Sequence, residues 1–153
     1  MGYGRLTIGE RDKLPPLDVP QIEQAVTVDV PCVVALGEGW EISAERIPLT
    51  NLSTILSNTN PSIAYIPATT QITLRSRKAG ERVRLLGAPG STKLKRVMID
   101  RKIPERVRQS WPLVEVNGEI VWVVGQVMME AGRVLESHKT CMQLTLRRHK
   151  HTP

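Results

Sequence analysis

Phenylalanine is absent from this 153-residue chain, and only five aromatic residues are present: Tyr3, Trp40, Tyr65, Trp111 and Trp122. A core without phenylalanine has to be filled by valine, isoleucine and leucine, whose β-branched members favour strands. Cysteine is nearly as scarce. Cys32 and Cys141 have neither metal-site nor disulfide-framework spacing and sit in apolar, strand-like runs. They read as buried thiols of a reducing compartment, with a cross-strand disulfide as the alternative. No apolar run approaches the roughly 20 residues that span a membrane. Arg5, Glu10, Arg11, Asp12, Lys13 and Asp18 interrupt any signal-peptide core. A cytoplasmic chain with no membrane partner is expected. Catalytic motifs are lacking too: there is no HExxH, CxxC or nucleophile elbow, and of His138, His149 and His151 the last two stand in the terminal tail. No internal repeat or low-complexity segment occurs.

What is present is localised positive charge. Residues 75 to 108 hold 12 Lys/Arg against Glu81, Asp100 and Glu105, a net of +9 in a chain whose total is +6. The remainder is therefore −3. A basic patch confined to one window of a small domain is the electrostatic footprint of a polyanion binder.

The length suits one domain, residues 1–148, with a mobile tail at 149–153. Tyr3 to Ile8 alternates as a strand that starts abruptly, which suggests a preceding region. Residues 9–23, with Pro15, Pro16 and Pro20, form a connector. Val26, Val28 and Val30 share one face of a strand, and Cys32 to Leu36 is a short apolar run. In the strand Trp40 to Ile47, Trp40, Ile42 and Ala44 point inward, and Glu41, Ser43 and Glu45 point outward. Pro48 to Pro61 is a loop with a helical turn at Leu52 to Leu56, followed by a strand at Ser62 to Ile66. In the strand Gln71 to Arg77, Thr73, Arg75 and Arg77 face out. Ser91 or Thr92 is placed to cap a helix over Lys93 to Lys102, with Leu94, Val97, Met98 and the stem of Arg101 on its buried stripe. Pro104 starts a second helical turn to Ser110. Leu113 to Val116, Asn117-Gly118 and Glu119 to Val124 form a hairpin with a type I′ turn, its second strand apolar on both faces and so central. Leu135 to Lys139 is a turn and Cys141 to Leu146 a last strand, and the tail from Arg147 is expected to be mobile.

Two chemistries compete at the helix start. A loop feeding a helix N-terminus offers free amides to a phosphate, and Lys93, Lys95 and Arg96 stand beside it. An ordinary capped helix with solvated lysines is the bland reading. The loop is not a Walker loop: no Gly precedes Lys93 and Leu94 follows it. Trp111 and Trp122 are core anchors or, alternatively, stacking platforms for bases. Glu81 and Asp100 are read as braces for neighbouring arginines. A small hydrolase built on Glu81, Asp100 and His138 has almost no support from their spacing.

These motifs resemble a known family. Arg75, Arg77, Gly80, Glu81 and Arg82 match an Arg-x-Arg strand end followed by a Gly-acidic-Arg turn. Ile103, Pro104, Arg108, Trp111 and Pro112 match an Ile-Pro-x-x-x-Arg-x-x-Trp-Pro segment, and Ile120 to Gly125 an Ile-Val-Trp-Val-x-Gly strand. Together they resemble the C-terminal, substrate-recognition domain of bacterial tRNA(Ile)-lysidine synthetase, specifically over residues 72–125. Glu81 stands where Asp is usual, Leu85 where Pro is common, Gln109 where Asp often sits, and Pro67 in place of an expected Asp.

The resemblance implies an α+β, mainly β, sandwich-like domain with one or two short helices, shared with part of the phenylalanyl-tRNA synthetase β subunit. It implies a ligase that adenylates the wobble cytidine of tRNA(Ile) with ATP and attaches lysine, making lysidine. That chemistry belongs to an N-terminal PP-loop domain whose SGGxDS-type motif does not occur in this sequence. ATP and lysine would be used there, leaving this chain without cofactor, metal or catalytic residue and inactive by itself. The expected partners are that PP-loop domain and tRNA(Ile), at its acceptor stem. The expected tRNA ligands are Arg75, Arg77, Lys78, Arg82, Arg84, Lys93, Lys95, Arg96, Arg101, Lys102, Arg106 and Arg108. A stand-alone RNA-binding module without enzymatic activity is the competing interpretation.

Overall fold

The structure, a computed structural model, describes residues 18–149. The strand expected at Tyr3 to Ile8 and most of the connector lie outside the described residues. The connector's end is docked: Pro20 and Ile22 are buried, and the Ile22 amide donates to the Ser110 carbonyl at 2.8 Å.

Two antiparallel sheets form the sandwich that the family resemblance implies, built from strands that the alternating valines and isoleucines predict. β1 (Val26–Asp29), β2 (Cys32–Ala35) and β3 (Trp40–Pro48) precede a short helix α1 (Leu52–Leu56). β4 (Ile63–Pro67), β5 (Gln71–Arg75), β6 (Arg82–Val83) and β7 (Thr92–Lys93) lead to helices α2 (Leu94–Asp100) and α3 (Glu105–Arg108). β8 (Leu113–Val116), β9 (Glu119–Val123), β10 (Val127–Met128), a 3-10 turn at Glu130–Gly132 and β11 (Thr140–Arg148) complete the chain. One sheet has the order β1-β5-β8-β9-β10 and the other β2-β3-β11-β4, while β6 and β7 form a separate two-stranded ribbon. Between the sheets lie Ile42, Ala44, Ala64, Ile66, Met142 and Leu144 from one and Ile72, Leu74, Val114 and Trp122 from the other.

A third layer explains why β9 is apolar from Ile120 onward. Leu113, Ile120 and Val123 leave the sandwich core and pack with Leu94, Val97, Met98, Ile103, Val107 and Trp111 of the helical layer. The β8–β9 part of the five-stranded sheet is thus covered on both faces. A bulge fixes the side-chain directions: Val114 pairs with Trp122 and Glu115 with Ile120, so Val121 has no opposite residue. The extra residue turns both Val121 and Trp122 toward the sandwich core, while Ile120 and Val123 face the helices. The hairpin turn is as expected, with Asn117 at φ 53° and Gly118 at φ 83°, the backbone region that favours this pair.

Several expectations need correction. Ser43 has the outward parity expected of it but is buried. Cys32 and Cys141 are free thiols as expected, Cys141 buried and Cys32 half-buried, and it is the alternative of a disulfide that falls. β3 separates their strands, with Cys32 opposite Ala44 and Cys141 opposite Ile47, so no bridge joins them. Burial pushes both thiols above their ordinary pKa. Arg147 and Arg148 end β11 rather than beginning a mobile tail, and the His149 amide donates to the Gly39 carbonyl at 2.9 Å. Helix α2 is shorter than expected: its stripe of Leu94, Val97 and Met98 is buried, but Arg101 is exposed beyond its end.

Candidate nucleic-acid interface

The twelve cations expected to bind separate by burial. Lys78, Arg82, Arg84, Lys93, Lys95, Arg96, Arg101, Lys102 and Arg106 are exposed, Arg77 and Arg108 are half-buried, and Arg75 is buried. Arg75 is the clear departure, because the strand parity that was to turn it outward instead puts it against two carboxylates. Its Nε donates to Glu115 at 2.8 Å, and its terminal nitrogens donate to the two Glu81 oxygens at 2.6 and 3.1 Å. With a relative exposure of 6%, it is a structural cation and leaves the list of surface ligands. The Glu81 hydrogen bond raises the guanidinium's pKa against the opposing effect of burial, and Glu115 adds to the rise. Burial pulls the Glu81 carboxyl upward, but the hydrogen bonds from Arg75 and the Lys78 amide outweigh it and leave it below its ordinary value.

Glu81 therefore links three elements. Its side chain binds Arg75 at the end of β5 and accepts from the Lys78 amide at 2.7 Å, shaping the turn that carries Arg77 and Lys78. Its carbonyl accepts from the Leu94 amide at 2.9 Å, where α2 begins. The brace expected of Glu81 is present. Asp100 lies 3.5 Å from Arg96 in an exposed i,i+4 pair, an arrangement of small energetic weight.

Capping at α2 differs from expectation. Ser91 and Thr92 do not cap it; Lys93 is the N-cap residue and makes no side-chain cap bond. Thr92 instead pairs with Val83, and Lys93 with Arg82, in the β6–β7 ribbon. The Ser91 hydroxyl accepts from Arg82 Nε at 3.2 Å. The helix has seven residues and its first amide is already bonded, so the proposed anion seat reduces to the cations around it.

The other end of α2 is closed by a Schellman arrangement. The Lys102 amide donates to Ile99 and the Ile103 amide to Met98, with Lys102 at φ 60°. Glycine is the usual residue at that left-handed position, since a side chain there is strained.

Each cation keeps donors in reserve. Arg82 uses two nitrogens on Ser91, Arg84 uses Nε on the Ala88 carbonyl at 2.7 Å, and Arg108 uses Nε on the Ile103 carbonyl at 2.9 Å. Among the described residues, Lys78, Lys93, Lys95, Arg101, Lys102 and Arg106 have no carboxylate within salt-bridge distance. Arg82 and Lys93, directly opposite on the ribbon and both exposed, form a like-charge pair that isolated sheets avoid. Trp111 is 5% exposed and donates from Nε1 to the Val124 carbonyl at 3.0 Å; Trp122 is 1% exposed. Both are core anchors, and neither presents a face for stacking. Among the described residues no group of three or more His, Cys, Asp and Glu could hold a metal, and no helix is long and apolar enough to cross a membrane.

Sequence reasoning missed Glu115, which looked like one polar residue of a hairpin strand, and Glu130. Glu130 binds Arg133 at 2.6 Å and accepts from the Gly87 amide at 2.9 Å, fastening the loop after β6. Arg133 is the main reason, with the Gly87 bond second, that its carboxyl is pulled down to about 2.

The chain is similar to known proteins in sequence and in fold. Residues 72–145 match the family described as TilS substrate C-terminal domain. The chain is 47% identical over 55 residues to tRNA(Ile)-lysidine synthase of Bacillus subtilis, covering 35% of this chain and 12% of that protein. It is 36% identical over 99 residues to the Oceanobacillus iheyensis enzyme of the same name, covering 64% and 21%. Over 113 residues it is 31% identical to that of Dehalococcoides mccartyi, covering 72% and 24%. The chain thus spans less than a quarter of the length of these relatives. Its fold matches the crystal structure of a TilS C-terminal domain with a TM-score of 0.67 at 22% identity, over 84% of this chain and all of that one. The sandwich, its helical third layer and the matched segment together make this chain a TilS-type C-terminal domain, the family of the C-terminal domain of tRNA(Ile)-lysidine synthase.

Proposed function

We propose that this domain docks tRNA(Ile) for a tRNA(Ile)-lysidine synthetase, the ligase that uses ATP to attach lysine to the wobble cytidine. The observation that carries this reading is the Arg82–Lys93 pair: two exposed cations side by side, with Lys95 and Arg96 following on α2, are accommodated once a phosphate lies between them. The surface ligands are then Lys78, Arg82, Arg84, Lys93, Lys95, Arg96, Arg101, Lys102 and Arg106, with Arg77 and Arg108 at the margin and Arg75 behind them as a brace. Such a surface tracks backbone geometry, which suits the acceptor stem, an A-form duplex whose narrow major groove hides its bases. ATP and lysine would be handled by a PP-loop domain of the same cytoplasmic enzyme. This chain by itself should form no lysidine from ATP, lysine and tRNA(Ile).

The test is competition. A fluorescent tRNA(Ile) bound to this chain should be displaced by an acceptor-stem minihelix at concentrations close to those of intact tRNA. An anticodon stem-loop should compete more weakly. If the anticodon arm competes better, the docking site is misassigned; if neither RNA binds, the RNA-binding reading fails.

A further inference from the structure

Where α2 ends, Arg101 lines an open groove of about 410 Å³ beside the edge strands β4 and β10. Arg101 is exposed and has no carboxylate within salt-bridge distance among the described residues. It is also the one charged group among the described residues along the groove. The other polar lining is neutral: Asn58, Thr59 and Asn60 before β4, and Gln126 before β10. Trp122 borders the groove but is 1% exposed, so its ring is closed to a stacked base.

The loop 58–61 is held by its own side chains. The Asn58 carboxamide accepts from the Asn60 amide at 3.1 Å and donates to the Ile63 carbonyl at 2.9 Å. Asn60 Oδ1 accepts from the Ser62 amide at 2.9 Å. These bonds leave the exposed Thr59 hydroxyl and Asn60 Nδ2 uncommitted, and the half-buried Gln126 carboxamide has no partner among the described residues. The groove therefore offers neutral groups that both donate and accept, beside one free guanidinium.

A phosphate presents only acceptor oxygens and is served by cations. A ribose 2′-hydroxyl both donates and accepts, and carboxamides and hydroxyls answer both roles. We infer that this groove holds ribose 2′-hydroxyls of the bound RNA, while Arg101 takes a flanking phosphate. An A-form stem displays those hydroxyls along its wide, shallow minor groove, where a protein surface reaches them without opening a base pair. The inference rests on the RNA-docking reading above, and it makes Thr59, Asn60 and Gln126 the residues that distinguish ribose from deoxyribose.

The test compares two acceptor-stem minihelices, one of ordinary RNA and one with 2′-fluoro throughout the stem, which keeps the A-form sugar pucker but cannot donate. The parent chain should bind the 2′-hydroxyl minihelix about three- to tenfold more tightly, the net worth of one hydrogen bond. In Thr59→Val/Gln126→Met that preference should fall below about twofold. The slope of log K against log salt should stay at the parent's value, because no charge has changed. Arg101→Ala should do the reverse, keeping the preference and flattening the slope by about one unit. Equal affinity of the parent chain for the two minihelices, or a preference that the double variant keeps, would overturn the inference and leave the docking surface standing. A changed slope in the double variant, or an unchanged one in Arg101→Ala, would overturn it too. If neither minihelix binds, the docking reading falls and this inference falls with it.

Discussion

Replacing Arg75 should damage the fold more than it damages RNA contacts. The side chain is 7% exposed and spans two carboxylates whose own side chains are 20% and 19% exposed. In Arg75→Met, Glu81 and Glu115 lose their shared counter-ion while remaining mostly desolvated. Removing one partner of a buried pair costs about 3–5 kcal/mol, and the residual water access of both carboxylates argues for the lower end, about 3 kcal/mol. For a chain of this length that is a fall in Tm of roughly 6–12 °C. Lysine cannot span both carboxylates, so Arg75→Lys should recover only part of the loss. A pH series separates this from generic packing damage. The Glu81 carboxyl is held below its unfolded value, so its contribution is fully present above about pH 4.5 and is lost as the pH falls through the lower folded value. The gap in Tm between parent and Arg75→Met should accordingly narrow as the solution is acidified below about pH 4.5. An Arg75→Met protein that melts within about 0.5 kcal/mol of the parent, yet loses tRNA affinity with one unit of salt slope, would refute the assignment and make Arg75 a phosphate ligand.

Two further substitutions probe the layers on either side of the surface. Lys102→Gly relieves a left-handed side-chain conformation at φ 60° and should stabilise the chain by about 0.5–1 kcal/mol in denaturant melts, while reducing the salt slope of tRNA binding by about one unit. Trp111→Ala removes a ring that is 5% exposed together with its bond to the Val124 carbonyl, and should cost about 3–5 kcal/mol in the same melts.

The strands from β1 to β5 were legible because Val26/Val28, Ile42/Ala44 and Ile72/Leu74 alternate, and Asn117-Gly118 announced its own turn. The apolar run of β9 correctly signalled burial on both faces. The bulge at Val121 left no mark in the sequence, because alternation cannot be read where every residue is apolar. The β6–β7 ribbon was hidden by its length, two residues a side, and by Ser91 and Thr92, which imitate a helix cap. Arg75 was misassigned because parity distinguishes the two faces of a strand but not whether a face is covered. Here Glu81, brought back by the turn at Gly80, and Glu115, from the neighbouring strand, close over it. Nine of the twelve cations expected as ligands are exposed, as long charged side chains usually are.

The central claim, that these cations meet RNA phosphates, is tested most directly by the salt dependence of tRNA(Ile) binding in the parent chain and in a Lys93/Lys95/Arg96→Ala variant. If about four to six phosphates are contacted, log K against log salt should slope by about −3 to −5 in the parent. The variant should melt within about 0.5 kcal/mol of the parent, while its slope flattens by about one unit for each of the three cations that meets a phosphate. A variant that binds tRNA(Ile) with the parent's affinity and slope would contradict the account and reduce this face of α2 to solvated lysines.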